Sequence, residues 1–105
     1  MSIVVRIAGE PARSYYRDDR ALLMIASGEA RHPLLLSTGP LRSGPGENAN
    51  VSIELDNVGG EISGQWAARP PLGAAVTITA SGVEVFAGNV QRVSLGSSVT
   101  IEAEA

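Results

Sequence analysis

The chain has 105 residues, room for one domain with a modest core. Its formal net charge is −3 and its eight cationic residues are scattered arginines, which excludes a basic footprint for phosphate-backbone binding. There is no Cys, hence no disulfide, thiol nucleophile or Cys-based metal site, and no apolar run approaches the ~18 residues that a membrane helix needs. Twelve Gly residues against one Trp, two Tyr and one Phe point to many tight turns and small side chains. Met1 to Ile7 lacks a basic start followed by a signal-length apolar core.

In chain order, Ile3, Val5 and Ile7 alternate with Val4 and Arg6, so residues 2–8 read as a first strand. Gly9-Glu10-Pro11 ends it. Residues 11–19 are polar apart from Tyr15 and Tyr16 and read as a loop or irregular extended chain. Ala21 to Ala26 is continuously apolar and ambiguous over residues 20–27. One reading is a two-turn helix capped by Asp18 or Asp19 and ended at Gly28. The other, preferred, is a strand that turns at Ser27-Gly28-Glu29 and pairs with Arg31 to Ser37, with Pro33 marking an edge or a strand start. Thr38 to Ala49 is a loop rich in Gly, Pro and Asn.

The clearest pattern begins at Asn50. Val51, Ile53 and Leu55 alternate with Ser52, Glu54 and Asp56, the period of a strand with one buried face. Residues 57–74 form a long connection, and Ile62 and Trp66 stand at i, i+4, so a short helical turn over 61–68 is expected before Arg69-Pro70-Pro71. Ala75 to Ala80 alternates again, and Ser81-Gly82 predicts a tight hairpin into Val83 to Gly88. Phe86, Val90 and Val93 break the period of two, which a β-bulge between Gly88 and Arg92 would repair. Gly96-Ser97-Ser98 turns into a last strand, Val99 to Ala103. Val51, Ile53, Leu55, Val76, Ile78, Val85, Val99 and Ile101 are the expected core. The pattern is all-β: a small antiparallel β-barrel or sandwich of six to eight strands in a single domain, residues 1–105.

Few residues invite a chemical reading. His32 is the single histidine and has no recognisable acid–base partner, so a structural role is expected. Asp18 and Asp19 lack the spaced oxygens of a calcium loop. Asp56-Asn57 before Gly59-Gly60 reads as turn chemistry. Gly44-Pro45-Gly46 has no following Lys-Ser, so it is not a phosphate cradle. No catalytic, metal or cofactor site is expected. The candidate contact residues are Trp66, Arg69, Tyr15 and Tyr16, the residue types that dominate interface hot spots. Trp66 has a second reading, in which it folds back and caps the open end of a small barrel.

Three stretches carry a family resemblance. They are Ala21–Gly39, ending Leu34-Leu35-Leu36-Ser37-Thr38-Gly39-Pro40-Leu41; Asn50-Val51-Ser52-Ile53-Glu54-Leu55-Asp56-Asn57-Val58-Gly59-Gly60; and Pro71-Leu72-Gly73-Ala74-Ala75-Val76-Thr77-Ile78 running into Val85-Phe86-Ala87-Gly88-Asn89-Val90. On these the chain resembles the β-barrel module of baseplate-hub and distal-tail proteins of tailed bacteriophages and gene transfer agents. The resemblance implies a non-enzymatic structural component of a phage-like tail, made in the bacterial host cytoplasm and located in the virion. It implies self-association into a ring around the tail channel and contact with other tail proteins, with no cofactor, no specific nucleic-acid binding and no membrane insertion. A different class, a monomeric ligand- or carbohydrate-binding β-domain of a host-recognition device, would use Trp66 and the two tyrosines to line a groove.

Overall fold

The structure is a computed structural model and describes residues 2–9, 12–17, 25, 30–32, 35–38, 49–66 and 71–105. The elements in order are β1 (Ile3–Ile7), β2 (Arg13–Tyr16), β3 (Ala30–His32), β4 (Leu35–Thr38), β5 (Asn50–Asp56), a 3-10 turn (Val58–Gly60), α1 (Glu61–Trp66), β6 (Ala75–Ala80), β7 (Val83–Ser94) and β8 (Ser98–Glu104). The eight strands form one sheet in the order β3-β2-β1-β6-β7-β8-β5-β4. Every ladder is antiparallel except that of β2 with β3, which is parallel. The fold is all-β with one short helix, as the alternating patterns predict.

The sheet curls. Its two edge strands, β3 and β4, are separated in the chain only by residues 33 and 34. Three Cα–Cα steps of 3.8 Å allow at most about 11 Å between His32 and Leu35. A flat sheet of this many strands would hold its edges about 34 Å apart, at ~4.8 Å per strand. The chain itself therefore brings the edges together. No ladder joins β3 to β4 among the described residues, so the sheet is not closed into a barrel. A hydrogen bond helps hold the seam: Arg17 Nη1 donates to the Leu36 carbonyl at 3.3 Å.

Curling places one face of every long strand inside. Val51, Ile53 and Leu55 of β5 meet Val99, Ile101 and Ala103 of β8 in register, and all six are buried. Val76 and Ile78 of β6 pair with Val5 and Ile7 of β1 and belong to the same core. A smaller cluster lies on the outer face, where Ile25 covers Val4 and Tyr16. Val4 is thereby buried although its strand period points it outward.

Several expectations are corrected. Residues 11–19 are not wholly loop, because Arg13–Tyr16 pairs with β1 as β2. Aromatic residues suit a pleated surface, and the adjacent Tyr15 and Tyr16 bury on opposite sides of it. The expected partner strand Arg31 to Ser37 is two strands, and these pair with β2 and β5 at opposite edges of the sheet. Most of the ambiguous stretch 20–27 lies outside the described residues, and Ile25 within it sits in a bend. Val85 is not core. The register of β6 on β7 steps from Ile78↔Phe86 to Thr79↔Glu84, so Val85 is the extra residue of a bulge and is 44% exposed while Phe86 is buried. The bulge expected between Gly88 and Arg92 is present as the shift between Val90 and Arg92.

Candidate functional site

The connection between β5 and β6 was the strongest candidate for a contact surface, and its geometry is built on Asn57. Its side chain is buried and makes four hydrogen bonds. Asn57 Oδ1 accepts from the backbone N–H groups of Ile62 at 3.0 Å and Ser63 at 3.1 Å. Asn57 Nδ2 donates to Ser63 Oγ at 2.6 Å and to the Gly96 carbonyl at 2.7 Å. The first pair satisfies N–H groups that the first turn of a helix leaves without internal partners. The last bond ties the start of α1 to the turn between β7 and β8. Gly59 and Gly60 both have positive φ, 61° and 73°, which lets the chain reverse between the strand and the helix.

So anchored, α1 directs Ile62 and Trp66 into the core, where Ile62 is wholly buried and Trp66 is 2% exposed. Tyr15 stands edge-on to Trp66 with ring centroids 6.0 Å apart, and stacks on His32 at 5.3 Å. Such pairs add about 0.5–1.5 kcal/mol beyond the area they bury. Trp66 thus lies inside the curled sheet, packed into its core. Tyr15 is fully buried and Tyr16 is covered by Ile25, so these rings line no external groove. Arg69 lies outside the described residues, as do Asp18, Asp19 and Gly44-Pro45-Gly46.

His32 is half-buried and stacks on Tyr15. Among the described residues no group of three or more His, Asp or Glu gathers where it could hold a metal ion. The residue that sequence reasoning undervalued is Asn57. Its place at a strand end before two glycines signalled a turn, but its reach to Gly96, 39 residues on, had no local signal.

No protein-family model matches the chain, and no curated protein matches it in sequence. Among solved structures, the chain is similar to a chain of the virion of a native gene transfer agent particle. The TM-score is 0.73 at 17% sequence identity, over 99% of this chain and 39% of the other. The two share a fold, and this chain spans well under half the length of that neighbour.

Proposed function

We propose that the chain is a non-enzymatic structural component of a phage-like virion, placed in the ring at the tail tip or baseplate hub. The observation that carries this reading is the match of fold to a gene transfer agent virion chain over 99% of the present chain. The motif resemblance to hub and distal-tail barrels supports the finer placement. In this reading residues 1–105 act as one barrel module, copies of the chain surround the tail channel, and the chain resides in the tail after synthesis in the bacterial cytoplasm. The connection between β5 and β6 meets another tail protein at the end of the barrel. Trp66 anchors that connection from inside, and its exposed Val58 and Leu72 supply the contact.

Particles purified from cells that produce the chain provide the test. Mass spectrometry should find the chain in the particle fraction, and single-particle imaging with a labelled chain should find it at one end of the tail. A chain confined to the soluble fraction while particles assemble normally would sink the proposal.

A further inference from the structure

The longest strand is only partly paired. β7 runs from Val83 to Ser94, and β6 lies along one of its edges from Val83 to Asn89. Along its other edge β7 meets β8 only from Asn89 to Ser94, because β8 ends at Glu104, opposite Asn89. There β8 closes in so tightly that a Cβ at Gly88 would run into the Glu104 backbone. From Val83 to Ala87 no strand among the described residues takes up the second edge.

The pattern of the ladder fixes which groups face outward. The Val90 N–H donates to the Ala74 carbonyl, on the β6 side. Successive residues of a strand turn their N–H and C=O groups to opposite edges. Those of Gly88 and Phe86 therefore face β6, and those of Ala87 face the open edge. The side chains along this stretch are apolar or small: Val83, Val85 and Ala87 are exposed, and Glu84 is its one charge. Pro and Lys, which guard many natural edges, are absent from it. The bulge at Val85 keeps the open stretch short.

We infer that a second copy of this chain pairs along this stretch, β7 on β7, antiparallel about a two-fold axis. The inference goes beyond the virion reading and does not rest on it. The occupant follows from the edges the molecule has. The terminal strands β3 and β4 are turned toward each other across the seam, where Arg17 already donates to the Leu36 carbonyl. The β7 stretch faces away from that seam. A single edge is complementary to a copy of itself in the antiparallel sense, which is the isologous contact of a two-fold dimer.

Charge and facing set the register. Glu84 and Ala87 pair with Thr79 and Thr77, which alternate with the buried Ile78 and Val76, so both point outward. Opposed residues of a ladder share a face, and like charges directly opposite are destabilising. Glu84 consequently lies opposite the second copy's Ala87, and the two Glu84 carboxylates stand three residues apart along the strands. Main-chain hydrogen bonds supply the adhesion, as in strand addition generally.

The chain has no Cys, so single introduced cysteines report this register cleanly. Directly opposed Cα atoms lie about 4.5–5.5 Å apart, within disulfide reach. Like positions, offset by three residues, are about 10 Å apart along the strand and out of reach. Under diamide oxidation an equimolar mixture of Glu84→Cys and Ala87→Cys chains should form covalent dimer several times more readily than either variant alone. A mixture no better than its components would overturn the inference. Sedimentation velocity of the unaltered chain should show a dimer that grows with concentration. Ala87→Pro removes the outward N–H but leaves the β6 ladder intact. In a two-fold pair the loss counts twice, so dimerisation should weaken at least about tenfold. Unweakened dimerisation of a folded Ala87→Pro chain would also overturn it, and if that variant fails to fold, the cross-linking comparison decides. A chain that stays monomeric at every concentration ends the inference and leaves the edge to a strand of a different protein. Pairing by a chain that never enters particles supports this contact and ends the virion reading, and a monomer found in particles does the reverse.

Discussion

Strand β6 is entered through one connection and left through another, and the two are opposites. The connection before it, from Asn57 to Ala74, is long and carries a tryptophan, yet its helix turns inward and Asn57, Ile62 and Trp66 are buried. The connection after it, Ser81-Gly82, is as short as a hairpin allows. It leads to Val83, 64% exposed, and Val85, 44% exposed. Length and aromatic content mark the first as a candidate contact surface, and alternation marks Val85 of the second as core. Burial places Trp66 inside and Val85 outside, and leaves Val58 and Leu72 as exposed apolar residues of the first connection. A long connection can fold inward, where a large side chain fills space inside a curled sheet. A tight hairpin can carry its strand past the core, where its apolar residues stay exposed.

Trp66→Ala should break the first half of this comparison most severely. Truncating a buried aromatic side chain costs about 3–5 kcal/mol, a large part of the stability of a domain this size. Chemical denaturation of the isolated chain checks it. A variant that melts normally would show that Trp66 is not held in the core.

Asn57→Ala comes next. The change removes the acceptor for two backbone N–H groups, that of Ile62 being buried, and the donor to Gly96. Leaving one buried polar group unsatisfied costs about 1–3 kcal/mol. Because the bond to Gly96 also couples α1 to the turn between β7 and β8, amide exchange should quicken in both segments. Faster exchange in α1 alone would show that the coupling is not energetic.

Gly82→Val tests the hairpin. Both turn residues have positive φ, 49° at Ser81 and 85° at Gly82, as the type I′ turn that matches strand twist demands. A Cβ at Gly82 would meet nothing within 4 Å, so the penalty is backbone strain alone. About 1 kcal/mol or somewhat more is expected, because a β-branched residue resists positive φ. Gly88→Ala would differ in kind, since a Cβ there runs into the backbone of Glu104. An unaltered melting temperature for Gly82→Val would refute the turn assignment.

What could be read from the sequence follows the range of the interactions involved. Strands β1, β5, β6 and β8 announce themselves through alternation, because a buried face imposes a period of two on each strand separately. The Ser81-Gly82 turn is equally local. Strand β2 was missed because Arg13-Ser14-Tyr15-Tyr16 does not alternate. Both faces of that strand are covered, Tyr15 by the core and Tyr16 by Ile25, so no face had to be polar. The split of residues 31–37 into strands at opposite edges depends on how the whole sheet curls, which no window of sequence contains. The burial of Trp66 depends on Asn57 and Tyr15, which lie 9 and 51 residues away in the sequence.

The smallest expected effect is the most exacting test of the second connection. Strict alternation from Val83 would send Val85 inward with Val83 and turn Phe86 out. The register observed places the extra residue at Val85, so Phe86 pairs with Ile78 inside while Glu84 stays in solvent beside Thr79. Without the bulge, a charge or a phenylalanine would be on the wrong side, and either error costs more than a locally disturbed ladder. Val85→Thr should therefore change the stability of the isolated chain by no more than about 0.5 kcal/mol, the usual range for a surface substitution. Phe86→Ala, at the adjacent position, should cost about 3–5 kcal/mol. Thermal melts of the two variants side by side measure the difference. If Val85→Thr proves the costlier, the bulge lies one residue away and the facing of the whole β6–β7 hairpin tip is inverted.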